Sequence, residues 1–195
     1  EPYFRQNLLL SKDLSIFYGD RCVANGISLT LNRGDRIALV GRNGCGKSSL
    51  LKLLIGQPIA HTGTLEIGSR LTVSYVPQDM SFLSGSADDF AAESEIDITL
   101  FKTILRKLDF KRTQFTKDMS EFSMGQKKKV LLARSLCQRA NLYIWDEPLN
   151  YIDVISRLQI ETLILEYKPT MLFVEHDEAF VNDIATKVCR ISLNQ

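Results

Sequence analysis

The 195-residue chain has no apolar run long enough to cross a membrane. Its continuous runs, such as Ile37-Ala38-Leu39-Val40 and Leu142-Tyr143-Ile144-Trp145, fall far below the roughly 18 residues a span needs. It also lacks a signal peptide, opening on Glu1-Pro2-Tyr3-Phe4-Arg5, and the missing initiator Met is what a chain excised from something longer would show. Cysteine is scarce and scattered: Cys22, Cys45, Cys137 and Cys189 form no C-x-x-C pair and, with only two histidines, no zinc pattern. Reduced thiols in a cytoplasmic protein are therefore expected. Nor is one sign of charge in excess. The 24 Lys+Arg and 23 Asp+Glu leave a formal net charge of +1, which announces no nucleic-acid partner, and 45% hydrophobic residues exclude general disorder. Internal repeats and low-complexity segments are absent too, so the length fits one domain carrying a small insert.

What is there reads as an α/β core interrupted by helices. Residues 8–40 alternate apolar and polar positions between the turn signals Gly19-Asp20, Asn25-Gly26 and Asn32-Arg33-Gly34-Asp35, which predicts antiparallel strands. Residues 37–40 form a continuous apolar run, as in a strand buried on both faces. A glycine-rich stretch follows at 41–46, then helical spacing over 47–55 that stops at Gly56. Strands are expected at 63–67 and 71–76, helices within 84–139, clearest at 98–108 and 127–136, and buried strands again at 142–145 and 170–174. The predicted organisation is a single domain over 1–195, with a core of 1–78 and 140–195 and a helical subdomain at about 79–139. Charge divides unevenly along it. Residues 102–139 hold 11 Lys+Arg and three acids, a net +8, which leaves 13 Lys+Arg against 20 Asp+Glu, a net −7, for the remainder.

Gly41-Arg42-Asn43-Gly44-Cys45-Gly46-Lys47-Ser48 fits G-x-x-x-x-G-K-S/T between a buried strand and a helix. In that context the glycines let backbone N–H groups and the helix N-terminus face an anion, Lys47 reaches the β- and γ-phosphates, and the Ser48 hydroxyl meets Mg²⁺. Gly41, Asn43, Gly44, Cys45, Gly46, Lys47, Ser48 and Ser49 are the candidate phosphate-binding residues. The apolar run 142–145 ends in Asp146-Glu147, a strand closed by two carboxylates. Successive strand side chains face opposite sides, so the two are assigned different tasks: Asp146 to Mg²⁺ and Glu147 to the attacking water as general base.

With these residues placed, the chain resembles an ABC-type ATPase domain over nearly its whole length. The resemblance implies a P-loop NTPase fold with an antiparallel β subdomain, a mixed or parallel core sheet and a helical insert. It implies ATP and Mg²⁺ as ligands and hydrolysis of ATP by water. Residue by residue, it assigns Tyr18 to stacking on adenine, Gln78 to Mg²⁺ and to linking core and insert, and His176 to the γ-phosphate. Phe122-Ser123-Met124-Gly125-Gln126 resembles the signature Leu-Ser-Gly-Gly-Gln, whose Ser123, Gly125 and Gln126 would serve the nucleotide of a second ATPase domain paired head to tail. Asp153 belongs to the D-loop of that shared site, and catalysis would rest on Glu147, His176 and Lys47. Met124 replaces the first signature Gly and adds bulk near the partner's phosphate.

Glu147-Pro148-Leu149-Asn150-Tyr151-Ile152-Asp153 and Glu175-His176-Asp177 resemble the ABC-F class, soluble proteins of the ribosome with two ATPase domains in one chain and no membrane domain. The Leu-Asn-Tyr-Ile-Asp variant resembles its antibiotic-resistance branch, the Vga and Lsa type, which implies ribosome protection. Glu175 stands where the class has Ser and Glu178 where it has Arg. The expected partners are a second ATPase domain, from the same full-length chain or a homodimer, and the ribosome with its RNA, with no direct membrane insertion. The basic insert reads either as a solvated helical face or as an RNA footprint. The consecutive Lys127, Lys128 and Lys129 fan around a helix, so at most two can serve one surface. Two other functions remain open: the motor of a membrane transporter, and a regulatory module that binds ATP without turnover.

Overall fold

The computed structural model describes residues 7–192. In chain order its elements are β1 (Asn7–Tyr18), β2 (Arg21–Asn32), β3 (Arg36–Val40), α1 (Lys47–Leu54), β4 (Ala60–Ile67), β5 (Val73–Val76), α2 (Ala87–Glu93), α3 (Ile98–Lys107), α4 (Met124–Cys137), β6 (Leu142–Asp146), α5 (Val154–Tyr167), β7 (Met171–Val174), α6 (Glu178–Ile184) and β8 (Lys187–Arg190). They form two compact units. One takes the chain up to Tyr75, Ala140–Asp146 and the segment from Pro169 onward; the other takes Val76–Arg139 and Glu147–Lys168.

The first unit holds both sheets. An antiparallel sheet runs β2-β1-β4, and a five-stranded sheet runs β5-β6-β7-β3-β8, with parallel β6–β7, β7–β3 and β3–β8 ladders. An antiparallel sheet beside a largely parallel one is the expected arrangement, and the apolar runs explain its centre. Ile37, Ala38 and Leu39 of β3 and all four residues of β7 are buried, as strands covered on both faces require. Phe173 of β7 packs edge-on against Phe180 of α6, with ring centroids 5.6 Å apart. A single apolar core joins Leu14, Ile16 and Leu31 of the antiparallel sheet to Leu50 and Leu51 of α1 and to Ile144 and Leu172.

Two strands depart from the sequence-based expectation for a physical reason. β4 begins at Ala60 rather than 63, held by pairing of Ala60, His61 and Thr62 with β1, but its early residues are exposed and show no alternation. β8 was not expected at all, since it is an edge strand with no fully buried residue.

The second unit is helical. Phe110 contacts both Phe115 and Phe122, at centroid distances of 5.2 and 5.4 Å, while Phe101 lies beside Phe90, and the Arg134 guanidinium sits 5.8 Å from the Phe90 ring. α4 starts three residues before the apolar spacing suggests. Its start is set by Ser123, which caps the helix through Gln126 N while Gln126 Oε1 accepts from Ser123 N, a reciprocal capping box. α5 buries Ser156, Ile160 and Ile164 and exposes Val154, Ile155 and Leu158, so its apolar residues surround it and leave no helical stripe.

Replacing Phe173 by Ala empties a site between two buried strands and removes the ring contact with Phe180. Chemical denaturation should show a loss of about 3–5 kcal/mol.

Candidate functional site

Parallel pairing decides what meets in the first unit. Leu39 of β3 pairs with Val174 of β7, and Val174 pairs with Asp146 of β6, so three strands end level with one another. Beyond these carboxyl ends lie the glycine loop, Asp146 itself, and Glu175-His176. The carboxyl edge of a parallel sheet is where α/β folds bind ligands.

The glycine loop is shaped by close approach. Gly46 has φ +87°, and a Cβ there would lie 2.5 Å from the Val23 carbonyl oxygen and 2.6 Å from Ala24 Cβ. A Cβ on Gly41 would meet the Ile191 carbonyl oxygen at 2.3 Å. Only glycine serves at either position. Gly46 is also the residue before α1, and it offers no side-chain cap. Of the six α-helices among the described residues, the other five are capped by Ser86, Asp97, Ser123, Asp153 and Asp177. The start of α1 therefore keeps its backbone N–H groups for an external acceptor. Lys47 is buried, and its Nζ donates to the carbonyls of Gly41 and Arg42 at 2.8 and 2.9 Å, which puts the ammonium on the inner side of the loop. Cys45 is buried beneath it, whereas Arg42, Asn43 and Gly44 face solvent, and Ser48 and Ser49 are half-buried on the first turn.

Asp146 is 1% exposed, and its charge is felt nearby: burial and then Asp146 push the Tyr75 phenol up to about 12. The Asp146 carboxylate and the Ser48 hydroxyl are hard oxygen donors of the kind Mg²⁺ takes, one or two from protein with phosphate and water completing the shell. His176 is exposed, and its backbone N–H donates to Glu175 Oε1 at 2.8 Å, so the Glu in place of the usual Ser pins the turn that carries the imidazole. Glu178 occupies the first turn of α6, where a negative charge favours the helix start. Tyr18 is 48% exposed at the end of β1, in the hairpin whose other strand supplies Val23 and Ala24 to the loop.

The remaining candidates sit in the second unit. The chain leaves β6 after Asp146, and Glu147 takes a left-handed φ of +51°. Glu147 therefore lies outside the strand, and the alternation of successive strand side chains does not extend to it. Glu147 Oε2 accepts from Gln78 Nε2 at 3.0 Å and from Asn150 Nδ2 at 2.5 Å. Asn150 was not among the expected site residues; its only signal was a polar side chain three places after a turn-forming Glu. In the signature segment, Gly125 is the position that cannot carry a side chain, since its Cβ would meet the Tyr151 carbonyl oxygen at 2.6 Å. Met124 is 46% exposed and obstructs nothing in the chain. Ser123 N and Gln126 N are satisfied within the capping box.

The lysine run divides three ways. Lys128 is fully buried with Nζ 3.4 Å from the Pro77 carbonyl, Lys129 pairs with Asp153 at 2.6 Å, and Lys127 is half-buried. Asp153 caps α5 through Ser156 N. Burial would push the Asp153 carboxyl up, but hydrogen bonds from Lys129 and Ser156 together with the Lys129 charge outweigh it and hold the carboxyl at about 2.

A model of the ABC transporter family matches residues 24–150. The chain is 36% identical over 193 residues to YdiF of Bacillus subtilis, covering 95% of this chain and 30% of the relative. It is 29% identical over 192 residues to ABC transporter F family member 2 of Arabidopsis thaliana, covering 95% of this chain and 28% of the relative. Among solved structures it is similar to the archaeal ribosome recycling factor aABCE1, determined in complex with the ribosomal stalk protein aP1. That TM-score is 0.79 at 25% identity, over 100% of this chain and 38% of the other. The chain spans about 30% of the length of the curated relatives it matches.

Two measurements check this geometry. Gly46→Ala should weaken binding of a fluorescent ATP analogue at least roughly tenfold, because both its backbone angle and the Val23 carbonyl oppose a side chain. Asp153 has a folded value below its ordinary 3.8, so its contribution to stability is complete above that pH and is lost as pH falls toward about 2. Asp153→Asn should flatten the acid limb of a denaturation-versus-pH curve over that window.

Proposed function

The chain belongs to the ABC transporter family, and from that membership we propose that it is the ATP-hydrolysing domain of an ABC-F protein acting at the ribosome. One observation carries the ATPase reading: the level ends of β3, β6 and β7 bring an uncapped glycine-lysine helix start, a buried carboxylate and a histidine to one sheet edge. The loop N–H groups and Lys47 bind the triphosphate, trading the Gly41 and Arg42 carbonyls for charged phosphate oxygens. Tyr18 stacks on the adenine, Gly41, Asn43, Gly44, Cys45, Gly46, Ser48 and Ser49 line the phosphates, and His176 contacts the γ-phosphate. Ser48, Asp146 and Gln78 would hold Mg²⁺, which neutralises phosphate charge when bound. Glu147 takes the proton from the water that attacks the γ-phosphorus in line, while the bond to the β,γ-bridging oxygen breaks and ADP leaves. The site is completed in trans. Ser123, Gly125 and Gln126 stabilise the nucleotide of a second ATPase domain and Asp153 sits in the shared D-loop, so the domain alone turns over slowly.

The ABC-F assignment is supported by Glu147-Pro148-Leu149-Asn150-Tyr151-Ile152-Asp153 and by the similarity to the Arabidopsis F-family member. The Leu-Asn-Tyr-Ile-Asp form and Glu175-His176-Asp177 support the antibiotic-resistance branch, with ribosome protection in the cytoplasm as the biological role. Ribosomal RNA is met through Arg106, Lys107, Lys111, Arg112 and Lys117, all exposed, rather than through the lysine run of α4.

Glu147→Gln in the intact protein should bind ATP with unchanged affinity but hydrolyse it at least about 100-fold more slowly in single turnover. It should also co-sediment with ribosomes in ATP far more than the parent does. Wild-type hydrolysis would remove Glu147 as the base, and ATP-independent or absent ribosome binding would redirect the reading to a transporter motor.

A further inference from the structure

The loop after Glu147 is built to hold the Glu147 carboxylate. Asn150 N donates to the Glu147 carbonyl at 3.3 Å, closing a turn, and the Asn150 side chain then reaches back to Glu147 Oε2 at 2.5 Å. The turn is fixed from below. Pro148 is buried, Ile152 N bonds to the Leu149 carbonyl at 3.1 Å, Tyr151 has φ +67°, and its carbonyl lies against Gly125, where no Cβ fits. Farther on, Lys129 ties Asp153 to α4. Gln78 and Asn150 donate to the same carboxylate oxygen. With Oε2 held by these N–H groups, the carboxylate keeps its orientation.

We propose that Asn150 is the positioning residue for Glu147, holding its carboxylate in one orientation during hydrolysis. The inference rests on Glu147 acting as the base. Gln78 cannot fill this role throughout, because the same reading assigns Gln78 to Mg²⁺. Asn150 is anchored in the turn that carries Glu147, so its bond survives when Gln78 turns away. A carboxylate at that place could accept but not donate a hydrogen bond, so Asn150→Asp removes the bond at nearly unchanged size.

The test uses the intact protein with Asn150→Ala, Asn150→Asp, Asn150→Gln and Glu147→Gln, reading ATP affinity and the rate of single-turnover hydrolysis separately. Asn150→Ala should retain ATP affinity within about twofold and hydrolyse roughly tenfold more slowly, the usual consequence of losing a bond to a charged group. Asn150→Asp, the same size but with no N–H to donate, should be at least as slow, and Asn150→Gln, which keeps an amide donor, should recover part of the rate. A merely structural asparagine would lose ATP affinity along with rate and would show no recovery in Asn150→Gln. If Glu147→Gln abolishes hydrolysis while Asn150→Ala is unaffected, or Asn150→Asp keeps the parent's rate, the positioning role is overturned and the base stands. If Glu147→Gln hydrolyses normally, both fall.

Discussion

The pairing of Leu39 with Val174 and of Val174 with Asp146 is the constraint on which the candidate site depends. A parallel ladder has a period of two, so a slip of one residue would turn Asp146 to the other face of the sheet and put Leu39 out of step with the loop it feeds. The strands are kept in register by burial of nearly every side chain they carry, among them Ile37, Ile144, Trp145, Leu172 and Phe173. Chemistry at the sheet edge is thus fixed by the apolar core behind it. The loop adds glycines where Val23, Ala24 and Ile191 come too close for a side chain, and the Lys47 ammonium bonded to its Gly41 and Arg42 carbonyls.

The second unit works by a different means. Its functional candidates are held by polar contacts at helix starts and turns, some local, as in the Ser123–Gln126 capping box and the Asp153 cap, and some between distant segments, as in the Lys129 pair with Asp153 and the Gln78 amide on Glu147. Such contacts are individually modest. They specify the orientation of the groups they touch.

This contrast also explains what could be read from the sequence. The buried strands, the glycine loop and α1 were legible because apolar runs and glycine spacing report burial and backbone freedom directly. The start of α4 was hidden because Ser123 and Gln126 set it by capping, ahead of the apolar spacing. Lys128 shows the limit most plainly: a lysine between two lysines reads as solvated, yet it is buried with its Nζ toward Pro77. Asn150 escaped because its role depends on a turn that brings residues three apart face to face, and polarity alone does not distinguish that from an exposed loop.

The left-handed backbone at Glu147 bears on how such domains drift. Glutamate tolerates that conformation poorly, whereas asparagine, aspartate and above all glycine adopt it readily. A replacement by one of these relieves a strain of about 1–3 kcal/mol while discarding or shortening the carboxylate. Stability alone therefore leads away from glutamate at this position. With Glu147 as the proposed base, only demand for the reaction would hold the residue in place against that slope.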